Sequence, residues 1–192
     1  MAQSLVLSII CFINKKRGCR TLCLDSLKFN LLASNQHFDA FNTAIALLLV
    51  PGKHIELPFT DGKLRIPAIF YGSGKKEARP TIILGNGYDG GQEEMLHVMG
   101  KAILERGMNV ITYEGPGQPT VRRKQNLGFI HEWEKVVSPV VDYLLTRPEV
   151  DPKSIGLLGY SFGGMLAPRA AFEHRLAPVF AVDGVYEFAS VV

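Results

Sequence analysis

One pentapeptide, Gly159-Tyr160-Ser161-Phe162-Gly163, constrains this 192-residue chain more than any other stretch. An apolar run, Ile155-Gly156-Leu157-Leu158, leads into it, and a segment rich in small residues leads out. The pattern G-x-S-x-G therefore stands between a strand and a helix. The reason for the glycines is steric. A serine whose hydroxyl points out of a sheet must sit in a strained turn, and side chains at positions 159 and 163 would collide with the neighbouring strand and helix. The helix N-terminus then directs partial positive charge at the serine. In this setting the pentapeptide reads as a nucleophile elbow, with Ser161 as the nucleophile.

The surrounding chain supplies the sheet that such an elbow needs. His54–Phe59 and Leu64–Tyr71 read as two strands around the turn Thr60-Asp61-Gly62-Lys63, and Asp-Gly is a hairpin signal. Thr81–Leu84 is a short β-branched run. Residues 92–106 form an amphipathic helix closed by Gly107, and Met108–Tyr113 is the next strand. Residues 131–146 read as a helix with a kink at Pro139, ended by Pro148 and Asp151-Pro152. Ile155–Tyr160 is a strand, Ser161–His174 a helix and Pro178–Val182 a last strand. Alternating strands and helices from residue 81 onward predict an α/β fold: a mostly parallel sheet, helices on both faces, and the opening hairpin as an antiparallel edge.

Pro51 and Gly52 divide the chain into an N-terminal arm or helical segment (1–50) and an α/β core (51–192). Residues 1–40 carry five basic and two acidic side chains, and residues 41–192 carry 16 of each sign. The whole excess of +3 therefore lies in the arm, and nothing demands a nucleic-acid partner. The apolar run 5–12 has its basic residues after it rather than before it and no clear cleavage site, so it reads as a buried or poorly ordered segment. Leu27, Leu31, Leu32, Phe38, Phe41, Ala44, Ile45 and Leu48 recur at roughly helical spacing. Cys11, Cys19 and Cys23 form neither a disulfide framework nor a zinc set. The sequence calls for no metal and no other cofactor. No apolar run reaches the ~18 residues that cross a bilayer, and the expected location is the cytoplasm.

A second glycine-rich segment, Gly85-Asn86-Gly87-Tyr88-Asp89-Gly90-Gly91, follows the strand expected beside the serine strand. An oxyanion hole takes one N–H from the residue after the nucleophile and one from such a loop. These are assigned to Phe162 and Tyr88, with Gly87 as the rival for the second. Glu114-Gly115-Pro116-Gly117-Gln118 follows the next strand, at the carboxyl ends where open α/β sheets place ligands. Gly87, Glu114, Gln118 and Tyr160 are candidate pocket-lining residues. Arg122, Arg123 and Lys124 read as a solvated face.

A serine nucleophile also needs a base and an orienting acid, in the chain order Ser, acid, His. After Ser161 the sequence holds one histidine, His174, with Glu173, Asp183 and Glu187. His174 precedes Asp183. On a helix begun at Ser161 it would lie about 20 Å away along the axis. His37, His54, His97 and His131 read as structural or exposed. The expectation is a fragment, a truncated product or a degenerate relative, with an unfinished sheet whose open edge favours aggregation or low stability.

Several segments together resemble one branch of the α/β-hydrolases, the branch of dihydroxypseudooxynicotine hydrolase and the fungal pigment-pathway hydrolases that shorten polyketides. They are Pro80–Leu84, Gly87–Gly90 with Glu93-Glu94, Arg106–Val110, Glu114–Gln118, Trp133–Val137, Pro139–Asp142, Gly159–Gly164 and Ala167–Ala171. G-x-S-x-G is common to the superfamily, whereas G-P-G-Q and A-P-R-A-A are much more specific to this branch. The resemblance covers about residues 45–188. It implies hydrolysis of an ester, or of a carbon–carbon bond next to a ketone, in a small metabolite. It also implies a helical cap, an Asp and a His on later strands, and often a homodimer. Ser161 carries over as nucleophile; no position matches the acid or the histidine. Pro119 stands where glycine is more usual, and residues 1–40 do not resemble the family's longer helical N-terminal region. Two alternatives stand beside this one: a catalytically incomplete hydrolase, and a prolyl- or acyl-peptide peptidase, which shares the elbow.

Overall fold

The computed structural model describes residues 35–59, 62, 64–173 and 175–184. Outside them lie the apolar run 5–12, the three cysteines, the leucines at 27, 31 and 32, most of the Thr60–Lys63 turn, His174, Glu187 and the C-terminal apolar residues. The chain divides into two compact units, Met1–Ala46 and Leu47–Val192. Of the first, residues 35–46 form helix α1.

The second unit is a six-stranded sheet: β1 (Lys53–Pro58), β2 (Arg65–Tyr71), β3 (Arg79–Gly85), β4 (Asn109–Tyr113), β5 (Val150–Tyr160) and β6 (Val179–Val182), in the order β1-β2-β4-β3-β5-β6. β1 and β2 form the expected antiparallel hairpin, and β2 joins β4 antiparallel. β4, β3, β5 and β6 are parallel. All of β4 is buried, as a parallel strand covered on both faces must be. The covering helices are α2 (Gln92–Met95), α3 (Lys101–Glu105), α4 (Pro119–Gln125), α5 (Glu134–Leu145) and α6 (Phe162–Ala170). Ile66, Ala68, Phe70, Ile83, Ile111 and Leu157 share one core with α5 and α6. The alternate residues Ile69, Tyr71, Leu84 and Val110 are buried on the other face, where α2, α3 and α4 pack.

Four expectations shift in detail. The single helix over 92–106 is broken by a π-helical turn at Leu96–Gly100. A β-carbon at Gly100 would lie 3.2 Å from the Met95 carbonyl and 3.6 Å from Leu84, so glycine lets this turn close against the sheet. The segment after the G-P-G-Q turn is a helix, with Pro119 at its start and Asn126 in the left-handed conformation at its end. Both are legible signals, a proline at the first turn and an asparagine cap. β5 begins at Val150, because a register shift opposite Arg79 and Thr81 carries Pro152 past the ladder. The helix after Ser161 ends at Ala170, where Ala171 N–H turns back to the Pro168 carbonyl at 3.2 Å. Helix α5 runs from Glu134 to Leu145 with Pro139 inside it. Among the described residues no helix is long and apolar enough to cross a membrane.

Candidate active site

Ser161 stands between the last residue of β5 and the first of α6, with φ 56° and ψ −125°. Residues other than glycine avoid that conformation because the β-carbon crowds the backbone. The turn is held from both sides: Ser161 N–H donates to the Val182 carbonyl at 3.0 Å, and Gly164 N–H donates to the Ser161 carbonyl at 2.8 Å. The two motif glycines stand on either side of the serine, each against neighbouring backbone. A β-carbon on Gly159 would run into the Gly163 carbonyl, and one on Gly163 would stand 2.5 Å from the Asn86 carbonyl oxygen. The elbow thus packs backbone to backbone against the loop that follows β3.

That loop comes up to the serine itself. A β-carbon on Gly87 would lie 3.1 Å from Ser161 Cβ and 3.2 Å from its Oγ. Asn86 shapes the loop from within. Its Oδ1 accepts the Gly87 N–H at 2.6 Å, and its Nδ2 donates to the Gly91 carbonyl at 2.6 Å and to Glu94 Oε2 at 3.2 Å. The Gly87 N–H is therefore occupied, whereas the Tyr88 N–H has no acceptor among the described residues.

The G-P-G-Q turn supports the loop from below. Gln118 is fully buried. Its Oε1 accepts the Gly115 N–H at 2.7 Å, and its Nε2 donates to the carbonyls of Asn86 at 2.9 Å and Gly87 at 3.2 Å. Glu114 is fully buried as well. Its carboxylate accepts N–H groups from Gln92 at 3.0 Å and Thr120 at 2.5 Å, and the Thr120 hydroxyl at 3.2 Å. One carboxylate thus caps the first turns of α2 and α4, where negative charge is favoured. Beside it, burial pushes the Glu93 carboxyl up to about 7, against the pull of its own backbone N–H. The Glu114 charge adds to the rise, and Arg123 and Lys124 oppose it. Arg122, Arg123 and Lys124 are exposed, as a solvated face requires.

The surface beside the serine is aromatic. Tyr88, 60% exposed, stacks on Phe129 with ring centroids 5.3 Å apart. Phe162 meets Tyr88 edge-on at 5.9 Å and Phe129 edge-on at 5.0 Å. Nothing in the sequence marks Phe129, which lies in an irregular stretch with no periodicity. Tyr160 is half-buried one residue before the nucleophile. Beneath the cluster, buried Trp133 donates its indole N–H to the Tyr113 hydroxyl at 2.9 Å.

No histidine or carboxylate among the described residues hydrogen-bonds the Ser161 hydroxyl. His131 is exposed and lies 3.3 Å from Glu132, and His54 sits on the edge strand β1.

No family model matches the chain. Its fold and sequence nevertheless match known proteins. The solved structure of 2,6-dihydroxy-pseudo-oxynicotine hydrolase superposes with a TM-score of 0.67 at 31% identity, covering 73% of this chain and 39% of that one. The α/β hydrolase psoB of Aspergillus fumigatus is 35% identical over 149 residues, 72% of this chain and 33% of psoB.

The chain has the α/β-hydrolase fold.

A third relative, the 20-hydroxy-prefusarin hydrolase FUS2 of Gibberella moniliformis, is 32% identical over 163 residues, 80% of this chain and 38% of FUS2. The chain spans well under half the length of the curated relatives it matches. Within that span the α/β-hydrolase fold accounts for the order of the six strands and for the serine turn after β5.

Proposed function

We propose that this α/β-hydrolase chain carries the nucleophile and oxyanion-binding parts of a serine hydrolase acting on a small ketone- or ester-bearing metabolite. The observation that carries this reading is the conformation of Ser161. A serine held at φ 56°, ψ −125° at the end of a parallel strand is strained, and strain of this kind marks functional positions. The names of relatives support a small metabolite as the substrate, since FUS2 is named for hydrolysis of a prefusarin and the structural neighbour for a pseudo-oxynicotine.

In this reading Ser161 Oγ attacks the substrate carbonyl carbon and its proton passes to a base. The bond to the leaving alcohol or carbanion breaks with proton return, and water then releases the acyl group from Ser161. The N–H groups of Tyr88 and Phe162 stabilise the oxyanion. The occupied Gly87 N–H favours Tyr88 over Gly87 as the loop donor. Tyr88, Phe129 and Phe162 form an apolar wall beside the reacting carbonyl. The resemblance implies a homodimer, which light scattering on the purified chain checks.

Labelling with a fluorophosphonate probe tests the reading. The expected result is covalent labelling that Ser161→Ala abolishes. Folded, soluble protein that stays unlabelled would mean that the elbow stands without a base in reach, and the proposed activity of this chain would fail.

A further inference from the structure

We infer that Gln118 is the positioning residue of the oxyanion hole, acting through the peptide plane between Gly87 and Tyr88. The inference rests on the assignment of the Tyr88 N–H as an oxyanion donor, and extends it to what aims that donor.

The Gly87 carbonyl and the Tyr88 N–H belong to one planar peptide unit. The described chain has no cis peptide bond, so the two groups point in opposite directions. Gln118 Nε2 donates to the Gly87 carbonyl at 3.2 Å, and through its second hydrogen to the Asn86 carbonyl at 2.9 Å. The amide cannot be reversed, because its Oε1 faces the Gly115 N–H at 2.7 Å. Gln118 is fully buried, so no water competes for these bonds. With the carbonyl end of the plane fixed on Gln118, the Tyr88 N–H faces away from it. The plane starts at Gly87, whose α-carbon packs on Ser161. The Asn86 side chain holds the preceding unit at its other end by accepting the Gly87 N–H, opposite the carbonyl that Gln118 holds. Two side chains thus hold two consecutive peptide planes and leave one N–H for the oxyanion. A hydrogen bond to the carbonyl also polarises the N–H of the same amide, which strengthens it as a donor.

The test uses two variants and two readouts on the full chain. Gln118→Met keeps the volume and removes every donor and acceptor. Gln118→Glu keeps the shape and the acceptor for Gly115, and loses donors. Leu144→Ala, which opens a cavity in the core under α5, serves as a control for lost stability. The first readout is the rate of fluorophosphonate labelling at Ser161. The expected loss in both Gln118 variants is about a hundredfold, the scale of one oxyanion donor, with the control near wild type. The second is the amide ¹⁵N resonance of Tyr88, which does not depend on activity. It is expected to move in both Gln118 variants and to stay in place in Leu144→Ala. Should one Gln118 variant fail to fold, the other carries the test. A Tyr88 resonance no more displaced than in the control, or labelling at the wild-type rate, overturns the inference. If the wild-type protein does not label, the hydrolase reading fails, and the Tyr88 resonance alone decides the role of Gln118.

Discussion

Gly87 packs directly on Ser161, leaving room for a hydrogen and no more: a β-carbon there would stand 3.1 Å from Ser161 Cβ and 3.2 Å from Oγ. Contacts that short force the serine or the loop to move by a few tenths of an ångström. Gly87→Ala is expected to slow fluorophosphonate labelling by about tenfold or more, since small displacements at a reacting centre cost rate. The thermal midpoint should change little. Unchanged labelling would show that the loop yields freely and does not set the serine's position.

The strain at Ser161 gives a prediction of opposite sign. A residue held in a region open mainly to glycine costs about 1–3 kcal/mol. Ser161→Gly removes that cost, though its own backbone entropy returns part of it. Urea denaturation should find Ser161→Gly more stable than Ser161→Ala, by about 1 kcal/mol. An order of stability with alanine above glycine would mean that the turn is not strained.

Glu114 accepts three hydrogen bonds from the starts of α2 and α4. Glu114→Leu strands those donors in the core. At about 1–3 kcal/mol for each unsatisfied buried group, the variant is expected to unfold or lose most of its stability. Glu114→Gln keeps an acceptor and should lose less. Chemical denaturation of the two variants separates them, and equal stability would remove Glu114 from its capping role.

Glu93 predicts a fall in stability with rising pH. Its carboxyl is raised from 4.5 to about 7 in the folded protein, mainly by burial. Between those values the folded state binds more protons than the unfolded state, so stability declines as pH climbs from about 4.5 to about 7. Glu93→Gln should flatten this slope. A slope unaltered in the variant would assign it to other groups.

Glu173 works in the opposite direction. Two Arg175 bonds at 2.6 Å, with the Ser138 hydroxyl also at 2.6 Å, hold its carboxyl down at about 2, against desolvation. Its contribution is present above 4.5 and is lost as pH falls through about 2. Acid unfolding of Glu173→Gln is expected to be shallower than that of the wild type, from a lower starting stability at pH 7. A wild-type acid transition in the variant would contradict this.

The parts legible in the sequence are those set by local chemistry. The hairpin strands, the β3, β4 and β6 runs and the elbow each carry their signal within a few residues, as apolar alternation or as glycine at a fixed offset. Ser161 was legible because a strained turn admits few residue types on either side of it. Gln118 and Glu114 were legible as neighbours of the site but not as what they are. Both read as pocket lining, whereas both are fully buried, one beneath the loop that follows β3 and one at two helix starts. The loop carbonyls that Gln118 meets are 31 and 32 residues away, and the partners of Glu114 are up to 22. No pattern in a single sequence states which carbonyl an amide will meet across that distance.

By itself the sequence determined which turn holds the serine, which segments form strands and where the chain changes direction, because sterics and hydrophobic periodicity act over a handful of neighbouring residues. Only the tertiary structure decided that Asn86 takes up the Gly87 N–H and leaves that of Tyr88, and that Gln118 grips the carbonyl behind it. Those outcomes follow from the order β4-β3-β5, which brings three loops from separate parts of the chain to one end of the sheet, where their backbone groups must find partners out of reach of water.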